Sequence, residues 1–334
     1  MKKQLLTLII LAFSLMVRGA EEETKPIHDT KSAPETKSAP DTVKVGVYTI
    51  GISDIDFRQK QYMVRMWIWM RYKNKDFDFA KNIEVVNCKT LERLANIVDT
   101  SGDEAYNLME LKCIMKQSWL VHDYPFDEQK LEMHVENTQY DAHDFVFAVD
   151  TSGKMYDPKL AVSGWYINDS RLYANIHEYE TSFGDPSFGT PHSEYAAFNI
   201  QLHMKRNAWA LFFKLFLGMY VAFFITWVGT FIHANSMEWR FQLSVGGLFA
   251  AVGNKYIIDS LLPETSMFTL VDTLHAFTFI SIFITIALSV ISLQFLKTDK
   301  LEHVDTIDRY TAIIVLFLYI ALNIFFVYRA IYDI

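Results

Sequence analysis

The sequence is poor in the markers of chemistry. It has no metal-ligand spacing, no nucleophile elbow and no phosphate-cradling glycine loop, which argues against an enzyme and against a bound metal or cofactor. No basic stripe runs along the chain, and Asp plus Glu (39) outnumber Lys plus Arg (31), so no nucleic-acid partner is expected. Cysteine is nearly missing. Cys88 and Cys113 are the only two, and the choice lies between a bridge, if the compartment is oxidising, and two buried thiols in strands. What the chain has in excess is apolar and aromatic side chains, 51% and 15% of 334 residues, more than a soluble chain of this size normally carries. Composition therefore points to a membrane protein.

Those apolar residues are unevenly spread. Met1-Lys2-Lys3, an apolar stretch from Leu5 to Met16 and small residues at Val17, Gly19 and Ala20 read as an export signal over residues 1–20. Its apolar core is shorter than the ~20 residues a span needs, so cleavage is expected rather than anchoring. Residues 21–42 hold almost no large apolar side chain and repeat one unit, Lys31 to Thr36 and again Lys37 to Thr42, which reads as a disordered linker. From Val43 to Arg206 the pattern turns to short alternating runs, among them Val43 to Ile50, Tyr62 to Trp69 and Phe198 to Met204, each a strand with one buried face. Turn signals at Asp54, Asn74, Ser101-Gly102, Ser152-Gly153 and Gly184-Asp185-Pro186 divide them, and only Thr90 to Val98 has a competing helical period. An antiparallel β-sandwich over residues 43–206 fits this length.

Residues 207–334 change solvent. Four runs, about 209–232, 241–262, 268–295 and 310–328, are each long enough to cross ~30 Å of hydrocarbon as a helix. Four spans behind an export signal leave both the sandwich and the C-terminus outside. Lys297, Lys300 and Arg309 fall on the loop that would then be cytoplasmic, together with Asp299, Glu302, Asp305 and Asp308. The second span is the polar one. Every third or fourth residue from Glu238 gives Gln242, Gly246, Phe249, Gly253, Tyr256 and Ser260, a stripe of charge, amide, small, aromatic and hydroxyl groups. Several copies around a symmetry axis would enclose water with such a stripe. The alternative is small-residue packing between helices, for which Gly246, Gly247 and Gly253 are suited. Lys214, Lys255, Asp259, Asp272 and His275 are further ionisable groups in spans, and Lys255 and Asp259 lie one helical turn apart, where they can pair.

On these residues the chain resembles the pentameric ligand-gated ion channels, the Cys-loop receptor superfamily, and in particular their bacterial members, from about Val43 to Ile334. Tyr124-Pro125-Phe126-Asp127 with Gln129 matches the family's aromatic-Pro-Phe-Asp-x-Gln loop. Gln117 and Leu131 stand where animal receptors carry the loop cysteines, as in bacterial relatives. Phe145 to Asp150 through Ser163-Gly164-Trp165 is similar to proton-gated bacterial members, and Leu262-Pro263 falls at the family's loop between second and third spans.

The resemblance implies an immunoglobulin-like ligand-binding sandwich followed by a four-helix transmembrane bundle, a homopentamer in the bacterial inner membrane, and a gate for cations. It implies a coupling cluster of Asp56, Asp127 and Arg206, with Pro125, Phe126 and Pro263 at the same boundary. Five copies of Glu238 would favour cations, and Arg240, turned far from that face, would pair with acids or reach headgroups. Phe249 falls where the family places a closing ring of bulky side chains, usually aliphatic; Gly246 and Tyr256 are further departures. A small-molecule agonist would bind under a loop at Thr181 to Tyr195, with Phe183, Phe188 and Tyr195; protons, acting on groups such as His122, are the rival stimulus. A non-conducting sensory protein of the same architecture is the alternative function.

Overall fold

The computed structural model describes residues 39–185, 191–233, 236–296 and 301–332, and the chain divides after Ala39, so the account below concerns the unit Pro40–Ile334. The expected export signal and most of the expected linker lie outside the described residues. The linker was taken two residues too far, because strand β1 (Asp41–Asp56) already begins at Asp41, whose amide donates to Asp144 O at 2.9 Å.

Alternation builds the first half. In β2 (Gln61–Tyr72) every second side chain, Tyr62, Val64, Met66, Ile68, Met70 and Tyr72, is buried, the period of two that a strand with one core face requires. After a short helix α1 (Phe79–Asn82) come β3 (Ile83–Val85), β4 (Cys88–Asp99), β5 (Ala105–Lys116), β6 (Glu128–Asn137), β7 (Phe145–Val149), β8 (Trp165–Tyr179) and β9 (Ser193–Arg206). They form two sheets, β4-β5-β2-β1-β7 and β3-β6-β9-β8. Met66, Ile68 and Leu111 from the first share one core with Met133, Phe198 and Leu202 from the second.

Two sequence expectations change. The sheets are not wholly antiparallel, since β7 runs parallel to β1. The chain crosses from one sheet to the other between β6 and β7, and such a crossover permits parallel pairing where a tight hairpin would not. Thr90 to Val98 is not a helix but most of β4, paired antiparallel with β5. It is a sheet edge exposed along most of its length, so a backbone ladder rather than side-chain burial fixes it.

The second half is four long helices: α2 (Ala208–Gly229), α3 (Met237–Asp259), α4 (Leu270–Leu296) and α5 (Leu301–Tyr332). Among the described residues α2, α4 and α5 are long and apolar enough to cross a membrane. α3 has the length, 23 residues, but Glu238, Arg240, Gln242, Asn254, Lys255 and Asp259 interrupt its apolar surface. α5 starts well before residue 310, and Asp308, expected on a loop, is a buried helical residue. Its carboxylate meets Arg240 (Nη1 to Oδ2, 2.7 Å) and the hydroxyl of Ser292, while Arg240 also donates to Ile232 O and Thr230 O. Arg240 thus pairs with an acid, in the second turn of α5. Toward the other end of α3, Asn254 donates to Leu215 O (2.9 Å) and meets His275 Nε2 (3.1 Å), joining α2, α3 and α4. α5 closes the group through Tyr319, stacked on Phe223 with centroids 3.7 Å apart.

Adjacent glycines on α3 lie in opposite surroundings. A methyl group at Gly247 would stand 2.2 Å from Thr226 Oγ1 and 2.7 Å from Ala222 O, whereas one at Gly246 would meet nothing within 4 Å. Gly247→Ala should therefore destabilise the protein by ~1–3 kcal/mol through overpacking, and Gly246→Ala should be neutral or stabilising by up to ~1 kcal/mol. Thermal unfolding of the two variants in detergent checks this.

Candidate functional site

One residue, Asn207, separates β9 from α2, so Arg206 sits where the chain passes from sheet to helix. Its guanidinium is held in a two-bond fork by Asp127, Nε to Oδ1 at 2.7 Å and Nη2 to Oδ2 at 3.0 Å, and both side chains are buried, 10% and 2% exposed. Three rings surround the cation: its Cζ lies 4.0 Å from the centroid of Trp165, 4.8 Å from Phe57 and 5.0 Å from Tyr124. Charge-assisted bonds and aromatic faces replace the water that both ions have lost. Gln129 Nε2 donates to Asp127 Oδ2 at 2.7 Å and to Leu120 O at 2.6 Å, tying the aspartate to the loop that carries it. That loop turns at a cis Tyr124–Pro125 bond. Burial pushes the Tyr124 hydroxyl pKa upward, against the lowering influence of Arg206.

The loop touches two helices and shares a cavity with a helix connection. Phe126 packs on Trp209 and Phe212 of α2, with centroids 5.3 and 5.4 Å away. His122 O accepts the amide of Leu270 at the start of α4, at 2.8 Å. Arg206 and Tyr124 share with Asp54, Asp56 and Leu261 a cavity of about 380 Å³, which brings the α3–α4 connection to the same place; Pro263 in that connection is buried. Of the three expected charges two are paired. Asp56 lines the cavity, but its Oδ1 accepts the amide of Gln59 in its own hairpin, and its carbonyl accepts from Trp119 Nε1. The sequence reading overlooked Phe57 and the cage role of Tyr124 and Trp165. Only the position of Tyr124 and Trp165 inside the two family-like motifs hinted at them.

The structure collects all seven residues of the α3 stripe on one side. Glu238, Gln242, Gly246, Phe249, Gly253, Tyr256 and Ser260 are exposed, while Met237, Arg240, Ser244, Gly247, Ala251 and Ile258 form the buried face. Phe249 and Tyr256 are 71% and 78% exposed, like other large rings on the helices such as Phe283 at 69% and Phe317 at 72%. Neither Gly246 nor Gly253 serves packing within the chain, and only Gly247 does. Gln242 Nε2 lies 3.5 Å from Glu238 Oε1, along the same face.

Near the end of β8, Phe183 and Tyr195 gather around Tyr179, with centroids 5.2 and 5.8 Å from it. Behind them lies the buried Glu136, which accepts from Tyr179 OH at 2.9 Å and lies 2.6 Å from His177 Nδ1. Burial first, and then the Glu136 carboxylate, push the Tyr179 pKa upward. Phe183 adopts φ 53°, a left-handed backbone uncommon for a ring-bearing residue. Phe188 lies outside the described residues. Tyr179, His177 and Glu136 were missed, because strand alternation alone does not show which side chains gather at a strand end.

Of the remaining helix charges, Lys255, Asp259 and Asp272 pair with one another. Lys255 Nζ reaches Asp259 at 2.5 Å and Asp272 at 2.8 Å, joining α3 to α4, and Lys214 is exposed in the second turn of α2. Among the described residues no group of three or more His, Cys, Asp and Glu is placed to hold a metal. No family model matches the chain, and no curated protein matches it.

Removing one half of the buried pair strands the other charge. Asp127→Ala should cost about 3–5 kcal/mol, and Arg206→Lys should lose much of the pair, because an ammonium lacks the fork and stacks poorly on rings. A double-mutant cycle on denaturant unfolding measures the coupling; additive losses would show that the two residues act independently.

Proposed function

We propose that this chain is one subunit of a homopentameric, cation-selective ligand-gated ion channel of the Cys-loop receptor type, with its sandwich and C-terminus outside a bacterial inner membrane. The observation that carries the reading is the open face of α3: a carboxylate, an amide, two glycines, a hydroxyl and two large rings, none of which is used for packing in the chain. A helix with that face is unsuited to lipid, where uncompensated polar groups are costly, and five copies about an axis would line water with it. In that arrangement α2, α4 and α5 shield α3 from hydrocarbon, and α3 is the fourth span. The ring of Glu238 concentrates cations at the far mouth and the ring of Phe249 closes the path by dewetting.

Coupling follows from the junction. A shift of the sandwich acts on Arg206 and thus on α2 directly, on α4 through His122 and Leu270, and on the α3–α4 connection through the shared cavity. The stimulus is a proton or a small cationic molecule, and the aromatic group at Tyr179, Phe183 and Tyr195 backed by Glu136 suits the latter. No enzymatic step or cofactor enters this mechanism. One observation favours the non-conducting alternative: Phe249 and Tyr256 place two bulky rings on the face that would line the path.

The test is current across planar bilayers or oocyte membranes, with external pH stepped from neutral to about 4 and reversal potentials read in asymmetric salt. A reversible acid-evoked cation current supports the channel and names its stimulus; silence of a surface pentamer toward acid and cationic amines alike favours the non-conducting reading. In a conducting protein Glu238→Gln should move the reversal potential toward loss of cation preference, and Phe249→Ala should raise unstimulated current. Unchanged currents in both variants would refute this placement of α3.

A further inference from the structure

The two cysteines of the chain lie diagonally across a pair of neighbouring strands. β4 is an edge strand held by β5 alone, and its pairing shifts at a bulge between Cys88 and Thr90, so that Cys88 stands opposite Met115 while Leu91 stands opposite Cys113. Bulges re-aim side chains, and here the Cys88 Sγ lies 2.8 Å from Thr90 O and 3.4 Å from Ile114 O, beside the residue it faces diagonally. Cys113 is fully buried, Cys88 is partly open to solvent, and both are free.

We propose that Cys88 and Cys113 are a bridging pair, oxidised to a disulfide that fastens the exposed edge strand β4 to its sheet. The roles are unequal. Cys88 is partly open to solvent, where an external oxidant reaches it first, whereas Cys113 is fully buried, and burial pushes its thiol pKa upward. Cys88 is therefore the attacking thiolate and Cys113 the resolving thiol. With a small-molecule disulfide as oxidant, Cys88 attacks one of its sulfurs, forms a mixed disulfide and expels the first thiolate, which takes up a proton. Cys113 then gives up its proton, attacks the Cys88 sulfur, closes the bridge and expels the second thiolate. The protein loses two electrons and two protons, and the oxidant leaves as two thiols.

This inference does not rest on the channel reading, and its test does not need current. The purified full chain is incubated in detergent with oxidised glutathione, unfolded in an alkylating reagent and weighed. The expected result is complete protection of both cysteines without added glutathione mass, reversed by a dithiol reductant. Cys113→Ser should instead stop as a stable glutathione adduct on Cys88, and Cys88→Ser should react far more slowly, since its remaining thiol is buried. Alkylation of both cysteines in the oxidised wild type, or a glutathione adduct on Cys88 that never resolves, would overturn the proposal.

Discussion

Arg206 and Asp127 form the contact on which the two halves of this protein depend. An arginine at the last position of a strand that becomes a helix one residue later cannot move without moving both, and its partner sits on the loop that leads into β6. Burying two ions is unfavourable unless each keeps a full set of partners. Here the fork between the charges, the amide of Gln129 and three aromatic faces supply that set. The junction is thus stiff where it carries charge and open beside it, where the cavity lined by Asp56 and Leu261 separates hairpin from helix connection.

A second buried pair joins the start of α3 to α5. Arg240 and Asp308 are 3% and 7% exposed, and the guanidinium also caps the carbonyls of Thr230 and Ile232 where α2 ends. One side chain on α3 thereby fixes the end of α2 and the first turns of α5. It also fixes the rotation of α3: with Arg240 turned inward, Glu238, two residues away and about 200° around the helix, is exposed. The open polar face is the geometric consequence of a buried cation on the opposite side. Lys255, paired to Asp259 and to Asp272 of α4, ties α3 to α4 at its other end.

Much of this was legible in the chain. Alternating Val43 to Ile50 and Tyr62 to Trp69 specified strands because burial of one face requires a period of two, and the long apolar runs of α2, α4 and α5 specified helices because only a helix satisfies its own backbone in an apolar surrounding. The stripe from Glu238 to Ser260 could be read at helical spacing and lies on one face as read. Local signals misled where the deciding contact was distant. Thr90 to Val98 has a helical period but pairs with β5, and Asp308 looks like a loop acid but is held by Arg240, 68 residues earlier.

Sequence by itself determined the order of solvents, first a sheet domain and then long helices, since hydrophobic periodicity is a local property that neighbouring residues impose on one another. Tertiary structure decided which polar groups are used and which are left open. Gly246 and Gly247 are neighbours in sequence and both suit helix packing, yet only Gly247 receives a neighbouring helix, and Asp56 and Asp127 are equal candidates for Arg206, yet only one reaches it. Burial of charge and close packing depend on the approach of segments far apart in the chain, and that approach is fixed only when the whole unit has folded.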